Sequence, residues 1–212
     1  MSSHKLAAPE LAAIEIKGVT RQSFMLRSAI AAGSVYGLGA VTPFVREAMG
    51  QEGGGDVEIL NFALTLEYLE AAFYDQALKD VGDLSGDGKK IATQLSKDEN
   101  EHVDALTATI KDLGGKPVKA PGVDFGKAFA NQKAFLKLAQ TLEDTGVSAY
   151  NGAATKIESK EVLGAAGGIV QVEARHAAAI RFLNGADITA GGFDKALEMQ
   201  AVLDAVKPFV KA

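Results

Sequence analysis

The chain contains three histidines, at positions 4, 102 and 176, and two of them follow a glutamate by three residues. Glu99-x-x-His102 and Glu173-x-x-His176 each put a carboxylate and an imidazole on one face of a helix. With 14 glutamates in 212 residues, both spacings arise together by chance at about 0.4%. One such pair is common by accident, whereas two are specific. Imidazole and carboxylate are the ligand types that suit Fe, Mn or Zn. There is no cysteine, which excludes disulfides, thiol nucleophiles, zinc ribbons and thiolate-held iron–sulfur clusters. His4 is assigned no role.

The residues around these pairs should be a core. The face Ala92, Leu95, Glu99, His102, Val103, Leu106, Ile110 is apolar except at the two ligand-type residues. So is the face Ala166, Ile169, Glu173, His176, Ala177, Ile180, Leu183. Two further stripes, Leu60, Leu64, Glu67, Ala71, Tyr74 and Leu136, Ala139, Glu143, Val147, Tyr150, each hold one glutamate. Four glutamates thus stand in stripes that must face inward. A lone buried carboxylate costs several kcal/mol or neutralises itself by a shifted pKa. Two divalent metals explain all four at once, because four carboxylates balance two M²⁺ and neutral imidazoles add nothing.

The halves of the chain echo one another. Thr65-Leu66-Glu67 with Tyr74 matches Thr141-Leu142-Glu143 with Tyr150, and each is followed about 30 residues later by Glu-x-x-His. The echo bears on Glu70, which also has apolar neighbours at Phe62, Leu66 and Phe73. Its counterpart is Gly146, so Glu67 is taken as the ligand. Glu101, Asp98 and Asp104 fall off the stripe and read as a solvated face. Tyr74 and Tyr150 read as core packing or as hydrogen-bond partners of a ligand carboxylate.

Elements that position these residues follow from proline and glycine. The prolines are at 9, 43, 117, 121 and 208, which leaves two long proline-free spans suited to helical hairpins. Helices are expected over about 57–80, with Asp56 as N-cap, 88–113, 131–157 with Asn131 as cap, 160–184, and a short fifth over 194–206. Strand signals are sparse, so the fold class is all-α. Residues 114–130 make too long a link for neighbouring up-down helices. Extended, about 13 of them span ~43 Å, more than the ~36 Å of a 24-residue helix. The second and third helices can therefore run parallel. The glycines at 164, 167 and 168 read as tight helix packing as readily as a pocket.

An apolar content of 47% is ample for a core, and a net charge of −5 argues against nucleic acid as partner. Residues 1–50 have a different texture. A stretch around Arg21 and Arg27 precedes 18 uncharged residues from Ser28 to Val45, and Ala48 and Gly50 follow. That order reads as an export signal. It resembles a twin-arginine signal, with Gln22 standing where the second arginine would be. The expected organisation is an export signal over 1–50, removed after Gly50, and a domain over 51–212.

The Glu…Glu-x-x-His repeat resembles the ferritin-like superfamily of di-iron and di-manganese carboxylate proteins. The runs Asn61–Tyr74 and Asp98-Glu-Asn-Glu-His102 are similar to its exported bacterial ferritin-like branch, which includes desiccation- and stress-related proteins. The resemblance covers about 56–184. It implies a ferritin-like four-helix bundle with one long crossover from helix 2 to helix 3 and a short C-terminal fifth helix. It implies metal ligands at Glu67, Glu99, His102, Glu143, Glu173 and His176, with Glu99 and Glu173 bridging and Glu67 and Glu143 terminal. The expected cofactors are two divalent metals, iron first, with manganese or zinc as alternatives.

Three metal-dependent functions compete on this reading, and a metal-free bundle comes last because it leaves four core glutamates unexplained. The first is redox chemistry with O2 or peroxide, namely Fe(II) oxidation or peroxide consumption. The second is a non-enzymatic metal-binding protein with a structural or stress-protective role. The third is iron storage in a cage, which would require a homo-oligomer. The expected partners are O2, peroxide or Fe(II), together with an export machinery.

Overall fold

A computed structural model of the chain describes residues 55–211. Its helices are α1 (Asp56–Asp80), α2 (Gly86–Asp112), α3 (Gln132–Ala154), α4 (Lys160–Leu183) and α5 (Met199–Val206). A single turn of 3₁₀ helix, Lys207–Phe209, follows α5. The described residues contain no strand, only one isolated bridge between Val123 and Val210. No helix among them is long and apolar enough to cross a membrane. The export signal expected over 1–50 lies outside the described residues.

α1 packs along α2 and α3 along α4. The two hairpins meet through α1 with α3 and α2 with α4. Residues at the start of α3 are tied to the α1–α2 turn: Gln132 N–H donates to Asp83 Oδ1 (2.6 Å) and Gln132 Oε1 accepts from Ser85 N–H (3.0 Å). The start of α3 therefore lies beside the start of α2, the two helices run parallel, and the intervening link crosses the length of the bundle. Asn61 on α1 clasps the start of that link, accepting from Val118 N–H and donating to Lys116 O. Phe125, farther along it, packs on Phe73.

Local chemistry explains most helix ends. Gly114 takes φ +76°, and the N–H groups of Gly114 and Gly115 bond back to Lys111 O and Ile110 O, a Schellman termination of α2. Asn131 Oδ1 accepts from Ala134 N–H as the N-cap of α3. Asp56 differs from expectation. Gly55 occupies the N-cap of α1, while the Asp56 carboxylate caps the far hairpin by accepting from Glu158 N–H and Ser159 N–H, both at 2.8 Å. α3 stops at Ala154 rather than 157, and α5 starts at Met199 rather than 194. Residues before α5 are held non-helical along α3, where Leu197 N–H donates to Ser148 O and Asn151 to Lys195 O. Gly152 permits that approach, since a Cβ there would lie 1.8 Å from Leu197 O. The glycines at 164, 167 and 168 face open space, so neither tight packing nor a pocket accounts for them.

Two apolar clusters bracket a polar layer. Leu64, Leu106, Tyr150 and Ala166 belong to one, and Tyr74, Leu95, Ala139 and Ile180 to the other. On each of the four long helices the stripe glutamate falls between them. Each fully buried Leu, Ile or Phe contributes about 1.5–3 kcal/mol, so the clusters can hold rigid a layer that would not fold stably on its own.

Candidate metal centre

Glu67, Glu99, Glu143 and Glu173 are completely buried, and His102 and His176 nearly so. Each helix of the bundle supplies one glutamate, and the two central turns of α2 and α4 supply the histidines. The structure brings all six residues together. They form two overlapping sets, Glu67, Glu99, His102 and Glu173 on one side and Glu99, Glu143, Glu173 and His176 on the other. Glu99 and Glu173 belong to both.

Distances within each set are short. His102 Nδ1 lies 3.2 Å from Glu67 Oε2, 3.1 Å from Glu99 Oε2 and 3.0 Å from Glu173 Oε1. His176 Nδ1 lies 2.9 Å from Glu99 Oε1 and 3.6 Å from Glu143 Oε2. Yet Glu99 Oε1, Glu143 Oε2, both oxygens of Glu173 and His176 Nδ1 have no hydrogen-bond partner. Buried polar atoms rarely stay unpaired. Two ligands each ~2.1 Å from one cation and at right angles to each other stand about 3.0 Å apart. The donors therefore have the spacing of a shared coordination sphere and lack the pairing of a hydrogen-bonded network. Their number, charge and ligand type fit two divalent metals.

Without metal, the same crowding must be relieved by protons. Burial pushes Glu99 up to about 7, against the lowering effect of the adjacent His102 and His176 imidazoles. Burial, then the charges of Glu67 and Glu99, raises Glu173 well above the carboxylate range. Burial lowers the affinity of His102 for a proton, but the adjacent carboxylates of Glu173, Glu67 and Glu99 outweigh it and push the imidazole up to about 12. His176 is pushed up to about 11 by Glu143 and Glu99, again against burial. A cation is what the site most strongly attracts.

Glu67 and Glu143 are held by tyrosines from the opposite hairpin. Tyr150 on α3 donates to Glu67 Oε1 at 2.5 Å, and Tyr74 on α1 donates to Glu143 Oε1. In each case Oε2 is the oxygen that faces an imidazole, Glu67 Oε2 toward His102 and Glu143 Oε2 toward His176. Burial first, then the nearby carboxylates, raises both phenols well above their ordinary value, so they stay protonated donors. Of the two roles the sequence allowed these tyrosines, the hydrogen-bonding one is present, and both also pack in the core.

One acid departs from its sequence reading. Glu101 and Asp104 are exposed, as a solvated face requires, but Asp98 is not part of it. Asp98 is partly buried, and its Oδ2 lies 3.3 Å from His176 Nε2. Its position immediately before Glu99 turns it toward α4 rather than outward. Glu70 is buried beside Glu67, and its Oε1 would be 3.2 Å from a Cβ at Gly146, with Glu173 Oε2 3.4 Å from the same point. Burial and the charges of Glu173, Glu143, Glu99 and Glu67 raise its pKa strongly. The apolar neighbours of Glu70 in the sequence were the signal for its burial. Gly146, the break in the repeat, is what makes room for its carboxylate. A cleft of about 460 Å³ between α2 and α4, lined by Asp98, His102, Val172, Arg175 and His176 among others, reaches both imidazoles from outside.

A family model described as a ferritin-like domain matches residues 55–186, which takes in all four long helices and all six clustered residues. No curated protein matches the chain.

Proposed function

Because the chain belongs to the ferritin-like domain family, we propose that its buried cluster holds two divalent metals, iron first, and works as a redox centre toward O2 or peroxide. The observation that carries this reading is the pair of overlapping ligand sets sharing Glu99 and Glu173. Glu67 and His102 would complete one position, Glu143 and His176 the other. A pair of irons so held supplies two electrons to O2 or peroxide as each goes from Fe(II) to Fe(III).

The residues of the chain do the rest. Four carboxylates neutralise the metal charge, and the two apolar clusters exclude bulk water from the layer. Tyr74 and Tyr150 fix the terminal glutamates and hold a phenolic proton on each. The cleft between α2 and α4 gives a small reactant or a cation a way to the imidazoles. Export belongs to the same reading and is supported by the order of basic, apolar and small residues over 21–50.

The test is an anaerobic titration of the metal-free full chain with Fe(II), followed by O2 or peroxide. Two Fe(II) per chain are expected, with an Fe(III) absorbance band on oxidation and repeated turnover when Fe(II) or a reductant is supplied. Two metals bound with a raised Tm but no oxidation would make the site structural instead. Elution at many times 22 kDa with retained mineral would make it a storage cage.

A further inference from the structure

We propose that the two metal positions are inequivalent, with Asp98 making the one at His176 the tightly held position and the one at His102 an exchangeable position reached through the α2–α4 cleft. This rests on the dinuclear reading above and adds a division of labour to it. One ion is a resident, and the other is taken up and released as a divalent-cation substrate.

The inequivalence comes from a second place where the repeat fails, besides the Glu70–Gly146 break, and this one lies behind the histidines. Glu67, Tyr74, Glu99 and His102 correspond to Glu143, Tyr150, Glu173 and His176. The residue before each shared glutamate does not correspond, being Asp98 in the first half and Val172 in the second. Asp98 Oδ2 lies 3.3 Å from His176 Nε2, and Gln94 Nε2 donates to Asp98 Oδ1 at 2.7 Å. With Nδ1 of His176 facing the glutamates, Nε2 carries the ring proton and donates it to Asp98. That bond fixes the tautomer and the ring plane and makes Nδ1 a better donor to a cation. Asp98 also adds a negative charge on that side.

His102 Nδ1 likewise faces three of the glutamates, at 3.0–3.2 Å, but nothing equivalent to Asp98 stands behind its ring. Val172 has no acceptor, and among the described residues His102 Nε2 has no hydrogen-bond partner. The His102 side chain is also the more exposed, 10% against 5% for His176. An outer partner of a metal-ligating histidine is worth about 10–100-fold in affinity, so the two positions should load and release one after the other. Asp98 acts here as a positioning residue, through His176.

The experiment titrates metal-free full chain with Co(II) against a chromophoric chelator, and follows exchange of bound Co(II) for Zn(II). Two Co(II) should bind in steps separated by at least about tenfold, with one ion exchanging fast and the other slowly. Asp98→Ala should weaken the first step about 10–100-fold and alter the Co(II) spectrum of that equivalent alone. Val172→Asp should tighten the second step, a gain that a merely structural role cannot produce. Equal steps in the natural chain overturn the proposal, as does an Asp98→Ala that weakens both steps alike or neither. Should Asp98→Ala fail to fold, a Val172→Asp that leaves the second step unchanged overturns it. Fewer than two Co(II) per chain would defeat the dinuclear reading itself, whereas two equal Co(II) would defeat only the inequivalence.

Discussion

Tyr150 donates a 2.5 Å hydrogen bond to Glu67 across the bundle, so the α1 glutamate of the first hairpin is held by the second. Tyr74 and Glu143 form the mirror pair. Neither hairpin supplies the tyrosine that holds its own Glu67 or Glu143. The site is complete only when the two hairpins are docked, which couples metal affinity to hairpin association.

Removing one phenolic hydroxyl tests that coupling. Tyr150→Phe keeps the ring that packs in the core and frees Glu67 Oε1. Metal affinity at one of the two equivalents should fall about 10–100-fold, with the stoichiometry kept at saturation. Tyr74→Phe should do the same to the other equivalent through Glu143. Chelator competition on both variants measures it. An unchanged affinity in both would mean that the hydroxyls only fill space.

The shared and terminal glutamates should separate on metal content. Glu99→Ala removes an oxygen donor from both ligand sets, so bound metal should drop from two per chain to less than one. Glu67→Ala removes a donor from one set only, and one metal should remain. Elemental analysis after desalting distinguishes them. If Glu67→Ala lost as much as Glu99→Ala, the overlap of the two sets would not be the organising feature.

Sequence periodicity was enough to find the helices and the polar layer, because a glutamate inside an apolar stripe violates the pattern that surrounds it. The crossover was legible from length alone, and the Asp83–Gln132 hydrogen bond marks the parallel start it required. What failed to show in the sequence depends on direction across a helix–helix gap. Asp98 is off the stripe by one residue, and only the approach of α4 turns that position from solvent to His176. Asp56 looked like a local cap because capping is usually local, yet its carboxylate serves a helix 102 residues away. The start of α5 is not legible in its own segment because Gly152, on another helix, is what lets residues 195–198 lie flat.

The protons that replace metal make the stability of the metal-free protein depend on pH with a definite sign. Glu99 is raised to about 7, and Glu173 and Glu70 are raised as well. A carboxyl raised in the folded state contributes stability that is complete below its unfolded value, ~4.3, and lost as pH rises through its folded value. The histidines, raised to about 12 and 11, contribute stability that is complete below ~6.5 and declines as pH rises toward those values. Both effects have the same sign, so the Tm of metal-free protein should fall steadily from pH 5 to pH 9. Metal displaces these protons, so its affinity should rise over the same range. Calorimetry of the two forms checks both slopes. A metal-free Tm that climbed between pH 5 and 7 would contradict the buried, proton-sharing cluster.

Glycine substitutions separate positions that need the missing side chain from positions that do not. In a helix interior, glycine costs about 0.5–1 kcal/mol relative to alanine. Gly164 and Gly168 on α4 have nothing within 4 Å of a built Cβ, so Gly164→Ala and Gly168→Ala should each raise stability by about that amount. Gly152 is also helical, but its Cβ would sit 1.8 Å from the carbonyl oxygen of Leu197, and a backbone atom cannot swing aside. Gly152→Ala must lift residues 195–198 off α3, breaking the Leu197–Ser148 hydrogen bond and loosening Val202, Leu203 and Val206, which α5 buries. The net effect should be a loss of about 1–3 kcal/mol, opposite in sign to the α4 variants, with metal stoichiometry unchanged because no ligand moves. Denaturant midpoints for the three variants measure it. A Gly152→Ala protein as stable as the natural one would mean that the segment before α5 does not bear on α3 in solution.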